Sequence, residues 1–243
     1  MARHIEDEVE YYYDSHPTQE DLMGETSFHA DLVIYLLDVL RWLFRGRLCA
    51  IYDNLNFYQT TDPQEYPIAP DIAIITGIAH CPTRSWRVGK SGPAPQVVFE
   101  IASEETWKKD LTEKPGKYAD MGVQEYFAYD PNEPLLSRRA NRRLFGWRLD
   151  QSGRSMGAMQ PRPDGSLWSA SLESWLVPDQ AWLRLYDHVG QMRLTRAEFA
   201  DQQADLAMQQ ADLAMQQAEA EARRSQVYAE KLRSLGIDPD QLI

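Results

Sequence analysis

The segment PQVVFEIAS at 95–103 constrains the fold more than any other stretch of the chain. Its nearly continuous apolar run reads as a strand covered on both faces, the pattern of a central strand in an α/β sheet. An acid, Glu100, sits inside that run. A carboxylate there is costly unless it is paired or binds a metal ion. The segment therefore demands either a Lys or Arg brought to Glu100 or a metal centre at it. VQEYFAYDP at 123–131 reads as a further strand, closed by Asp-Pro. Between the two, EETWKKDLTEKPGKYADMG at 104–122 reads as a helical stretch with Trp107, Leu111, Tyr118 and Met121 on its inner face. Pro115 and Gly116 weaken its middle, and Gly122 caps its end. Strand, helix, strand at this spacing implies a crossover, and hence a sheet that is parallel at least in part.

The flanking segments extend the same domain. In SFHADLVIYLLDVLRWLFRG, Phe28, Leu32, Tyr35, Leu36, Val39, Leu40 and Leu43 recur at three- and four-residue steps, with Ser27 to cap the start and Gly46 to end it. This predicts an amphipathic helix packed on the sheet. LCAIYDNLNFYQ and IAPDIAIITG read as strands, and short strands continue to about Leu185. Residues 25–196 are expected to form one α/β domain, preceded by an acidic, Tyr-rich arm at 1–24. Beyond Thr195 the composition shifts to Ala, Gln, Asp and Met, and ADLAMQQ at 204–210 recurs identically at 211–217. A seven-residue period in strong helix formers predicts a helical, coiled-coil-like tail over 197–243. Its seam is thin, because Ala204, Ala207, Ala211 and Ala214 occupy one a/d set while Leu206 and Leu213 fall outside it. Self-association and a lone solvated helix both remain open.

A formal net charge of −12 argues at first against nucleic acid, but it is unevenly spread. Residues 1–30 carry −7 and residues 201–243 carry −4, so 31–200 is nearly neutral at −1. Cys49 and Cys81 offer no disulfide framework and no zinc spacing. The most apolar run, 32–44, is too short for a membrane helix and is broken by Asp38 and Arg41. The N-terminus lacks the pattern of a signal peptide, so the expected compartment is the cytoplasm, with no membrane partner. No phosphate-binding Gly loop, Ser-His-Asp order or Rossmann fingerprint is evident, which ranks nucleotide-dependent and acyl-transfer enzymes low.

Two carboxylates stand out for chemistry. Asp71 follows Pro70 at the head of a strand, where Pro-Asp is also a common structural dipeptide. Glu100 is either a ligand or the partner of a nearby cation. On neighbouring strands the two could hold a hard divalent cation and leave coordination positions for water and a phosphate oxygen. Lys108, Lys109, Lys114 and Lys117 all follow Glu100, and a lysine beside it could orient or deprotonate water and stabilise developing negative charge. Arg138, Arg139, Arg142, Arg143 and Arg148 interleave with Phe145 and Trp147, which suits either a phosphate-tracking ribbon or a hairpin with charged edges.

The ordered string APDIAIITG, then VVFEIASEETWKKDLTEKPGKYADMGVQEYFAYDP, resembles the Uma-type restriction endonuclease family of the PD-(D/E)XK nuclease superfamily. The likeness covers about residues 25–135, and the closing LRSLGIDPDQL is also similar to that family's C-terminus. It implies a restriction-endonuclease-like mixed sheet flanked by helices, and a Mg²⁺-dependent (or Mn²⁺-dependent) endodeoxyribonuclease with one or two ions per site. By the resemblance Asp71 and Glu100 are the metal carboxylates and catalytic residues, and Lys114 is the motif lysine, with Lys117 in reserve. Asp110, Tyr118, Gly122 and Val123 match the family's helix and turn, and Glu25 and His29 match an acid or histidine near the metal. The usual lysine two residues after the glutamate is replaced by Ala102. The expected substrate is DNA, with Arg138, Arg139, Arg142 and Arg143 as contacts, and the expected assembly is a homodimer. The alternative that Ala102 supports is a catalytically inactive module acting in binding or assembly through its helical tail.

Overall fold

The fold is that of a computed structural model, which describes residues 27–60, 65–236 and 238. The acidic arm at 1–24 and Glu25 lie outside these residues. Two compact units divide the chain, Met1–Thr195 and Arg196–Ile243.

In the first unit six strands form a mixed sheet in the order β1 (Cys49–Asp53), β3 (Ile72–Thr76), β5 (Val97–Ile101), β6 (Glu125–Tyr129), β7 (Leu144–Leu149) and β8 (Met156–Ala158). All neighbours run antiparallel except β5 and β6, which are parallel and pair Glu100 with Ala128. Every residue of β5 and β6 is buried, as expected of strands covered on both faces. One face carries Ile72, Ile74, Val97, Phe99, Ile101, Phe127 and Tyr129. Leu32, Leu36, Val39 and Leu40 of α1 (Ser27–Leu43) pack on it, together with a three-stranded antiparallel sheet of β9 (Leu167–Ser169), β10 (Ser174–Asp179) and β11 (Trp182–Tyr186). Gly146 permits that closure, since a Cβ there would meet Leu167 Cδ1 at 2.7 Å. Truncating a fully buried leucine of this layer, such as Leu36→Ala, removes about 2–5 kcal/mol of stability.

The opposite face carries Ala73, Ile75, Val98, Tyr126 and Ala128. The crossover from β5 to β6 lies on it as two helices, α2 (Trp107–Thr112) and α3 (Lys114–Met121), rather than as one weakened helix. The reason is Pro115, which cannot donate within a continuous helix but fits the first turn of a new one, where no N–H is required. Gly122 then ends α3 with φ of 87°, a left-handed conformation that glycine adopts without strain. A separate parallel pair, β2 (Asn56–Tyr58) and β4 (Ser85–Arg87), spans a long sequence gap that periodicity does not reveal.

Among the described residues the second unit has one helix, α4 (Arg196–Ser234), which carries no buried residue. Leu206, Met208, Leu213, Met215 and Val227 are all exposed on it. Among the described residues no helix is long and apolar enough to cross a membrane.

Candidate active site

Alternation along β5 turns Val98 and Glu100 toward α2 and α3 while Val97, Phe99 and Ile101 face α1. The antiparallel register of β3 with β5 pairs Ile72 with Phe99, and one more step sets Asp71 beside Glu100. Asp71 is held from both sides: Oδ2 accepts the Ile101 backbone N–H at 2.6 Å, and Oδ1 lies 3.2 Å from His29 Nε2. Glu100 is only 4% exposed, and its Oε1 receives two donors, the Tyr118 hydroxyl and Lys114 Nζ, the latter at 2.9 Å. Lys114 Nζ also lies 2.8 Å from Oδ1 of Asp110, which is 1% exposed. Asp110 Oδ2 accepts the Thr106 hydroxyl at 3.0 Å, and the Asp110 carbonyl accepts the Tyr126 hydroxyl at 2.8 Å. Asp110, Lys114 and Tyr118 recur every four residues, so the spacing survives the break between the helices and lines one face.

Three carboxylates face one ammonium in this cluster. Burial pushes the Glu100 carboxyl up to about 7; Lys114 opposes the shift, while Asp71 and Asp110 add to it. Burial likewise raises Asp110, against the pull of Lys114. For Lys114 burial acts to lower the pKa, but Glu100 and Asp110 together outweigh it and hold the ammonium well above the ordinary lysine range. The Tyr118 hydroxyl is pushed up by burial and by Glu100, so it remains a donor. An excess of hard oxygen donors over cations suits a hard divalent ion. Both donors to Glu100 fall on Oε1, which leaves Oε2 outside their reach. Among the described residues no group of three or more His, Cys, Asp or Glu side chains is arranged to hold an ion. Asp71 and Glu100 are the two neighbouring carboxylates that could hold such an ion.

The other residues singled out in the sequence fall into separate places. His29 joins the cluster through Asp71. Lys117 is exposed and contributes its backbone carbonyl to the Gln59 side chain at 3.5 Å; Lys108 and Lys109 are exposed as well. Arg138 and Arg139 are exposed on a turn, and Arg142 stacks over the Phe145 ring at 4.2 Å. Arg143 is turned inward, bonding the carbonyls of Asp130 and Asn132 and the Glu133 carboxylate. Arg148 is bound to Glu125. Ala102 lines a small apolar crevice with Trp107, Leu111, Ala128, Leu136 and Phe145. The contact of the Tyr118 hydroxyl with Glu100 is not foreseen from sequence, where periodicity places this residue on an apolar inner face; its four-residue step from Lys114 was the available signal.

The sequence model of one family, Uma2, described as "Putative restriction endonuclease", matches residues 4–176. No curated protein matches the chain. Among solved structures the chain is similar to a "putative nuclease belonging to DUF820" from Anabaena variabilis, with 15% identity, a TM-score of 0.43, and coverage of 62% of this chain and 76% of that one. The matched span contains Asp71, Glu100 and Lys114, and the chain belongs to the Uma2 family.

Proposed function

We propose that the protein is a metal-dependent endonuclease that hydrolyses DNA phosphodiester bonds, with Asp71 and Glu100 holding one or two Mg²⁺ or Mn²⁺ ions. The observation that carries this reading is the meeting of Asp71, at the head of β3, with Glu100 on β5, with a charged Lys114 bonded to Glu100. A bound ion supplies Lewis-acid polarisation of a phosphoryl oxygen and acidifies coordinated water. The chain's own groups do the rest. The Ile101 N–H and His29 fix the plane of the Asp71 carboxylate. Lys114 keeps its proton at neutral pH, so it works as a cation that orients water and faces the charge developing on the phosphate, not as the base. Water adds to phosphorus and one P–O ester bond breaks; the attacking water gives up a proton to solvent and the departing ester oxygen takes one from solvent, leaving a phosphomonoester and a hydroxyl end. Lys114, reaching in from α3, stands in for the lysine that alanine replaces at position 102, which weighs against the inactive-module alternative. Exposed Arg138 and Arg139 beside Arg142 and Phe145 support a DNA contact on a domain whose own charge is nearly neutral.

The test is nicking of supercoiled plasmid with Mg²⁺ or Mn²⁺. Divalent-dependent nicking by the wild type and its loss in Asp71→Ala and Glu100→Ala are expected. Equal activity in all three proteins, or none with any metal or DNA form, overturns the reading.

The tail supports a second role. We propose that 197–243 is an assembly segment that makes the protein a homodimer, because a helix of 39 residues with no buried side chain exposes Leu206, Leu213, Met208 and Met215 from two identical heptads. Deleting 197–243 should reduce the mass in solution to that of one chain. An unchanged mass sinks this role and leaves the catalytic one standing.

A further inference from the structure

Tyr118 is fully buried, and at such a position phenylalanine would pack as well without a hydroxyl to satisfy. Its hydroxyl is spent on Glu100 Oε1, the same oxygen that Lys114 contacts at 2.9 Å. The ring cannot swing away from Glu100, because it packs on Tyr126 with centroids 4.8 Å apart, and Tyr126 is itself anchored to the Asp110 carbonyl at 2.8 Å. Lys114 has a second partner in Asp110, at 2.8 Å, and a flexible stem, so it can turn from Glu100 to an incoming phosphate oxygen. Tyr118 has no such freedom.

We propose that Tyr118 is a positioning residue for Glu100: it holds Oε1 in place when Lys114 is drawn to substrate, and so keeps Oε2 presented to the cation. The inference rests on the endonuclease reading for what Glu100 binds, and on the geometry alone for how Glu100 is held. It also gives the four-residue series Asp110, Lys114, Tyr118 a division of labour. Asp110 retains the lysine, Lys114 moves, and Tyr118 stays.

The experiment compares the full-length wild type with Tyr118→Phe, which preserves the ring and its packing, and with Tyr52→Phe as a control. Tyr52 is also buried, but its hydroxyl donates to the Cys81 carbonyl at 2.9 Å. Calorimetric titration with Mn²⁺ reads the site without reference to turnover, and plasmid nicking separates kcat from KM. A weakening of Mn²⁺ binding by roughly 10-fold or more is expected for Tyr118→Phe, the usual consequence of losing a group that orients a metal ligand. kcat should fall in proportion while KM for DNA stays within about twofold, since a group that touches no substrate adds no uniform binding. Tyr52→Phe should match the wild type in both measurements. A merely structural hydroxyl would lower the melting temperature and leave Mn²⁺ affinity unmoved, and that result overturns the inference. So does an equal loss of affinity in the Tyr52→Phe control. If the wild type takes up no Mn²⁺, the endonuclease reading and this inference fall together. If it binds Mn²⁺ but nicks no DNA, only the endonuclease reading fails, and the calorimetry still decides the role of Tyr118.

Discussion

Glu100 and Glu125 are buried glutamates on the parallel strands β5 and β6, and they are treated in opposite ways. Glu125, 2% exposed, faces the α1 side of the sheet and is saturated with donors. Arg148 reaches its Oε1 through Nε at 3.0 Å and Nη2 at 2.7 Å, and the Ala170 N–H reaches the same oxygen at 3.0 Å. The Ser169 hydroxyl at 2.6 Å and the Ser171 N–H at 3.2 Å fill Oε2. That carboxylate clasps the turn between β9 and β10 to the main sheet and has nothing left to offer a ligand. Glu100 faces the other side, with both of its donors on one oxygen, Asp110 sharing the same lysine, and Asp71 adding like charge beside it. A buried acid by itself therefore does not mark a site. Incomplete satisfaction does, together with crowding by like charge.

Four measurements sharpen or break this contrast. The largest effect should come from Glu100→Gln: a loss of plasmid nicking of about 1,000-fold, equivalent to about 4 kcal/mol, in a protein that still folds. Retained nicking would make Glu100 as structural as its neighbour. Next, Glu125→Gln should destabilise by about 3 kcal/mol in urea unfolding, because the Arg148 pair loses its negative charge and the new amide NH2 meets donors where an oxygen accepted them, while nicking by the folded fraction is unchanged. A folded Glu125→Gln that cannot nick would dissolve the distinction. Third comes the pH dependence. The folded Glu100 carboxyl keeps its proton up to about pH 7, whereas its ordinary value is 4.5. The stabilisation from that retained proton is complete below pH 4.5 and is lost as pH rises through 7. Relative to Glu100→Gln, the wild type should therefore lose roughly 5 °C of melting temperature between pH 4.5 and 8, a gap that differential scanning calorimetry would resolve. A parallel pair of curves would mean that Glu100 titrates like an exposed acid. Smallest is Lys117→Ala, on the exposed side of α3: stability should move by less than about 0.5 kcal/mol and nicking by less than about twofold. A large loss of nicking would transfer to Lys117 the role assigned to Lys114.

Much of this arrangement is legible in one dimension. The apolar run of β5, its misplaced acid and the helical stretch that follows announce a crossover and a charged centre, because strand and helix periodicities are local properties of the chain. Asp71, Glu100 and Lys114 are identifiable as candidates because the order of motifs around them resembles a known family. Arg143 is different. Its place in a basic, aromatic string suggests a DNA contact, and only the folded loop reveals that its guanidinium is occupied by two carbonyls and Glu133. Glu125 carries no signal in the sequence, since its partners lie 23, 44, 45 and 46 residues away.

Local spacing along the chain settles most of the elements, the crossover around β5, the heptads of the tail and the residue types available for chemistry. All of these follow from the spacing of side chains along a chain of known geometry. Tertiary structure alone decided which of two buried glutamates is satisfied and which of four lysines reaches the acid. It also decided that β2 pairs with β4 and that a tyrosine from an apolar face supplies the second donor to Glu100. Those outcomes depend on hydrogen bonds and charge pairs between groups distant in sequence, whose energies exist only once the sheet has brought them together and water has been excluded.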